Sequence, residues 1–110
     1  MKDILLASAD HLPGYRITEF LGLVRGNSVR ARHLGRDILA LFRNIVGGEV
    51  GEYRKLMAES REQALDQMVD EARSLGADAV IAVRMTTSMI AQGMAEILTY
   101  GTAVRVEQVQ

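Results

Sequence analysis

Along this chain apolar and polar positions first alternate, then recur at helical spacing, then run together. Tyr15–Arg25 (YRITEFLGLVR) is rich in β-branched, aromatic and leucine residues and alternates early, with Ile17 and Glu19 opposite Thr18 and Phe20. This predicts a strand ended by Gly26 and Asn27. Upstream, the short run Ile4–Ser8 predicts a small strand closed by the turn signal Leu12-Pro13-Gly14. From Arg36 onward Ile38, Leu39, Phe42, Ile45 and Val46 recur every three or four residues, the mark of a short amphipathic helix ending at Gly47.

A longer helix is predicted from Glu52 to Leu75. Tyr53, Met57, Ser60, Ala64, Met68, Ala72 and Leu75 make one stripe, widened by Leu56, Leu65 and Val69, while Lys55, Glu59, Glu62, Asp66, Asp70 and Arg73 take the other side. The small residues on that stripe imply close approach to a sheet, and Gly76 stands where the helix needs a left-handed terminator. Ala79–Thr87 is a nearly continuous apolar run, as in a strand with little solvent on either face. Met94–Glu107 alternates again, and Ser88–Gly93 is short enough to join the last two strands as an antiparallel pair. One helical layer covers one face of a three-stranded sheet, yet the last strands are apolar on both faces. The other face or an edge is therefore expected to be buried by further subunits.

A chain of 110 residues, 48% apolar and 25% charged, is a single domain of ordinary soluble composition. Its net charge of -1 gives no global field for nucleic acid or an anionic membrane. There is no cysteine, which removes disulfides, thiolate metal sites and thiol nucleophiles and fits a cytoplasmic location. The first fifteen residues lack the pattern of a signal peptide, and no segment has the ~20 apolar residues of a membrane span.

Three longer stretches, RARHLGRDILALFRNIVGGE, SREQALDQMVDEARSLGADAV and VRMTTSMIAQGMAEILTYGTAV, together resemble the YbjQ family over about Pro13 to Val106. Its members are small, functionally uncharacterised proteins often labelled heavy-metal-binding. The resemblance implies an α+β, dodecin-like β-α-β-β subunit in two layers, with antiparallel sheet order 1-3-2 and a short plus a long helix in the crossover. It further implies a closed homopentameric ring in which residues 1–14 supply a strand that stitches neighbours together and residues 15–106 form the core.

The residues offer several candidate sites. His33 and Asp37 are four apart and, with Glu49, are the candidate metal ligands. A tight transition-metal site wants three or four such donors, and Arg32, Arg36 and Arg43 crowd the same segment, so a divalent metal is the weaker expectation unless a ring gathers copies of His33 on its axis. Arg25, Arg30, Arg32, Arg36 and Arg43 form a basic segment whose only acid is Asp37. Arg32, Arg36 and Arg43 are candidates to hold a small anion, against the plainer reading that they pair with acids of the long helix. Thr86, Thr87 and Gln92, with Ser88, Glu96 and Tyr100 close by, are candidate pocket residues between subunits.

Gly47, Gly48 and Gly51 are not a phosphate loop, because no Lys-Ser/Thr follows them and no strand precedes them. No nucleophile-base or paired-carboxylate arrangement is visible, so an enzyme is not expected. Flavin storage, which the dodecin-like fold suggests, is disfavoured by the absence of tryptophan. The six methionines read as adaptable packing rather than as copper ligands. The expected protein is thus a non-enzymatic, ring-forming binder of a small ligand or anion. A metal-sequestering ring is the alternative, and the chief partner is a further copy of itself.

Overall fold

The computed structural model describes residues 3–29, 50–91 and 94–109. They form β1 (Leu5–Leu6), β2 (Tyr15–Val29), α1 (Val50–Ser74), β3 (Ala79–Ala91) and β4 (Met94–Gln108). The fold is α+β: α1 packs on β2 and β4 and barely touches β3. The short helix expected after Arg36 lies outside the described residues.

The sheet order is β1-β3-β4-β2. The three long strands lie side by side with Met94–Gln108 in the middle, and both of its pairings are antiparallel. The expected order 1-3-2 described three strands, and here the sheet has four. The N-terminal strand pairs parallel with β3 of its own chain, Leu5 opposite Ala79 and Leu6 opposite Val80. Backbone bonds hold it there, from Leu5 N–H to Asp78 O at 3.2 Å and from Ala7 N–H to Val80 O at 3.0 Å. Ala82 sits at φ 54° in a bulge between Ile81 and Arg84, and its N–H donates to Ala9 O at 2.8 Å. The bulge thereby turns the backbone of β3 toward the N-terminal segment.

α1 ends as its sequence requires. Gly76 has φ 77°, its N–H donates to Arg73 O at 3.0 Å, and the Ala77 N–H donates to Ala72 O at 3.1 Å, which is the Schellman arrangement. Asp78 then ties the turn to β4: its backbone N–H donates to Val104 O at 2.9 Å and its carboxylate accepts from Val106 N–H at 2.9 Å.

The core between helix and sheet is Val24, Met68, Ala72, Ala77, Val80 and Ala103, all buried. Ser60 and Ala64 continue the buried face of α1. A smaller cluster, Ala79, Ile81 and Val104 with Leu12 and Ile17, lies on the other side of the sheet, where the segment after β1 crosses β3 and β4.

Two strand ends differ from expectation. β2 continues through Gly26, Asn27, Ser28 and Val29. Gly26 is a packing residue here and not a terminator: a Cβ at this position would lie 2.6 Å from Met68 N and overlap the Ala64 carbonyl oxygen. Likewise β3 runs past Thr87 to Ala91, because Ser88 and Met89 pair with Glu96 and Ala95.

Gly26→Ala is expected to push α1 off the sheet and to destabilise the fold by about 1–3 kcal/mol or more, the usual cost of overpacking. A denaturant midpoint unchanged by this substitution would show that the contact is not tight.

Candidate functional site

β2 is an edge strand, so the outward backbone groups of its second half need partners from outside the sheet. α1 supplies them. Gln63, Gln67 and Glu71 recur every fourth residue beside the apolar stripe, and each presents an oxygen to β2. The Ser28 hydroxyl donates to Gln63 Oε1 at 3.2 Å, the Asn27 N–H to Gln67 Oε1 at 3.1 Å, and the Arg25 N–H to Glu71 Oε2 at 3.4 Å. The match is geometric. Four helical residues rise roughly 6 Å and two strand residues roughly 6.7 Å, so Gln67 and Glu71 can follow the alternate N–H groups of Asn27 and Arg25, while Gln63 meets the side chain of Ser28.

This corner encloses a cleft of about 500 Å³ lined by Arg25, Gly26, Asn27, Gln67, Glu71, Glu96 and Leu98. It wraps around the β2 edge. Gln67 and Glu71 reach it from the helix side, while Arg25, Asn27, Glu96 and Leu98 belong to the opposite face, as the pairings Arg25–Tyr100 and Asn27–Leu98 require. The Asn27 Nδ2 donates to Glu96 Oε2 at 3.3 Å and so orients that carboxylate. The Arg25 side chain makes no ion pair among the described residues. Among the described residues the cleft therefore brings together a cation without an ion pair, two carboxylates and two strand N–H groups.

Of the residues singled out in the sequence, Thr86 and Thr87 lie exposed on β3. They pair with Leu98 and Ile97, so the two threonines sit on opposite faces of the sheet and do not share one pocket. Arg32, Arg36, Arg43, Gln92, His33, Asp37 and Glu49 lie outside the described residues. Arg25 and Glu96, noted in separate groups, line the same cleft. The sequence reading missed Gln63, Gln67 and Glu71. Their signal was available as an i, i+4, i+8 row of side-chain oxygens flanking the stripe.

The model of the YbjQ family, described as "Putative heavy-metal-binding", matches residues 4–107. The chain belongs to this family. YbjQ-type relatives carry the name UPF0145. One from Pyrococcus furiosus is 54% identical, covering 98% of this chain and 95% of its own. Another from Thermus thermophilus is 51% identical over 97% and 94%, and one from Archaeoglobus fulgidus is 51% identical over 94% and 96%. The fold is similar to the crystal structure of a protein of unknown function from the DUF74 family of Pediococcus pentosaceus. That likeness has a TM-score of 0.62 at 14% identity and covers 94% of this chain and 98% of the other.

For a YbjQ chain the metal label invites a count of ligands. Among the described residues no group of three His, Cys, Asp or Glu side chains is arranged to hold an ion. Nor is any helix among them long and apolar enough to cross a membrane. His11 is exposed and faces Asp10, with Nδ1 to Oδ1 at 3.0 Å. The hydrogen bond with His11 holds the Asp10 carboxyl below its ordinary value of 3.8, helped by a backbone hydrogen bond and the His11 charge. A carboxyl lowered in the folded state stabilises above its unfolded value, and that contribution is lost as pH falls through the folded one. In a carbon-detected NMR titration Asp10 is expected to titrate below 3.8 and to move back up in His11→Ala. An unchanged midpoint in that variant would remove His11 as the cause.

Proposed function

We propose that this protein is a non-enzymatic subunit of a closed homo-oligomeric ring, pentameric as its family resemblance implies. The ring binds a small ligand or anion at subunit interfaces or in a central channel. The observation that carries the reading is the sheet face away from α1. Phe20 and Leu23 are 67% and 63% exposed there, beside half-buried Ile17, Leu98, Tyr100 and Val106. Two neighbouring large apolar side chains left in water on a sheet are the pattern of a surface that a partner covers. Burial recovers roughly 25 cal/mol per Å² of apolar area. The partner of matching chemistry is a second copy of the same face or of the β3 edge beyond β1.

A ring also gives the basic segment a role, since copies of Arg32, Arg36 and Arg43 gathered around an axis would form an anion site. The description of the family favours a second reading, a metal-sequestering ring using His33, Asp37 and Glu49.

The native mass in light scattering is expected near five times the 12.1 kDa subunit, falling to that of one subunit in the double variant Phe20→Glu, Leu23→Glu. A wild-type monomer would overturn the ring. In a thermal-shift panel, phosphates, nucleotides and carboxylates are expected to stabilise wild type but not Arg36→Ala. If that panel is flat and the purified protein carries a stoichiometric metal that His33→Ala loses, the metal reading replaces the anion one.

A further inference from the structure

The cleft at the β2 edge has features that no anion or metal site needs. Its two N–H groups, on Arg25 and Asn27, belong to alternate residues of one strand, and each is occupied by an oxygen of the protein's own side chains. The acceptor at Arg25 is a carboxylate and the acceptor at Asn27 is an amide carbonyl. These are the two kinds of oxygen that the C-terminal half of a peptide offers. We propose that this edge binds a short extended peptide with free termini, about three residues long, which adds to the sheet antiparallel to β2 and displaces Glu71 and Gln67.

The register follows from strand geometry. When a peptide pairs antiparallel with β2, the partners of alternate N–H groups are carbonyls two residues apart. The terminal carboxylate of residue three therefore meets the Arg25 N–H where Glu71 Oε2 now sits, beside the Arg25 guanidinium. The carbonyl of residue one then meets the Asn27 N–H in place of Gln67 Oε1. This leaves the peptide ammonium beyond Asn27, toward Glu96, whose carboxylate Asn27 already orients. Glu96 pairs with Val29, four residues along β2 from Arg25, or roughly 13 Å at strand rise. An extended tripeptide spans roughly 10 Å of that distance, and the Glu96 side chain, which crosses β2 to reach Asn27, closes the rest. The opposite direction would set the ammonium against Arg25 and the carboxylate against Glu96. The cleft volume of about 500 Å³ holds such a segment. Main-chain bonds supply the affinity and the two terminal charges supply the selectivity.

Glu71 and Gln67 act as built-in competitors, because a ligand gains its own bonds only after theirs are broken. Their removal therefore strengthens peptide binding, whereas removal of an ordinary binding residue weakens it.

The test titrates trialanine with free termini into the full-length protein and follows the backbone amide signals of Arg25 and Asn27 by NMR, with affinity from calorimetry. Both amides are expected to shift. Affinity is expected to fall about tenfold in Arg25→Ala, the scale of one charge-assisted pair, and by a similar factor for C-amidated trialanine. N-acetylation and Glu96→Gln are expected to weaken binding to a lesser degree, and Glu71→Ala to tighten it about threefold. No shift of either amide at millimolar peptide would overturn the proposal. So would equal affinity for the blocked peptide, or weaker binding by Glu71→Ala. Amide shifts that follow protein concentration with no peptide present would also overturn it, by assigning the edge to another copy of the chain. None of these readouts depends on the native mass, so the ring and the peptide site stand or fall separately.

Discussion

The approach of α1 to β2 at Gly26 is the contact on which the other features depend. A side chain of any size at this position would meet the helix backbone, so the separation between helix and strand is set by the absence of a Cβ. Ala64 answers it from the helix, fully buried. At this short spacing Gln63, Gln67 and Glu71 reach past the sheet to its edge, and the row of acceptors forms. A wider gap would leave Met68 and Val24 without close packing and the edge N–H groups without partners. Packing and edge protection are thus one constraint.

The two faces of the sheet are unequal for the same reason. The helix covers β2 and β4, and among the described residues the segment after β1 covers part of the opposite face, through Leu12. Beyond that segment Phe20 and Leu23 stand exposed. The polar side of α1 presents Glu62, Asp66 and Asp70 outward. The two most exposed large apolar side chains among the described residues, Phe20 and Leu23, therefore lie on the sheet.

Much of this was legible in the chain. The long helix, its buried stripe and its glycine stop follow from a period that few other structures share. The strand end at Gly26 was not, because a glycine that lets a helix approach and a glycine that ends a strand look alike in sequence, and Asn27 beside it strengthens the turn signal. Asn27 makes its bonds across the fold, to Gln67 and Glu96, and no local pattern encodes that. The bulge at Ala82 is equally silent, since alanine carries no preference for the conformation it adopts there. The cleft joins residues from β2, α1 and β4, so it becomes visible only once the helix has been placed on the sheet.

The parallel pairing of β1 with β3 has a consequence for how the chain is completed. β1 comes first in sequence but sits at the far edge from β2, so the segment joining them must cross a surface built from β3 and β4. Neither that surface nor the Asp78 carbonyl that receives Leu5 exists until the C-terminal half has been synthesised. Leu5 and Leu6 are therefore made before the strand they pair with. Their pairing is a clasp between distant parts of the sequence, made on the edge of β3 away from β4.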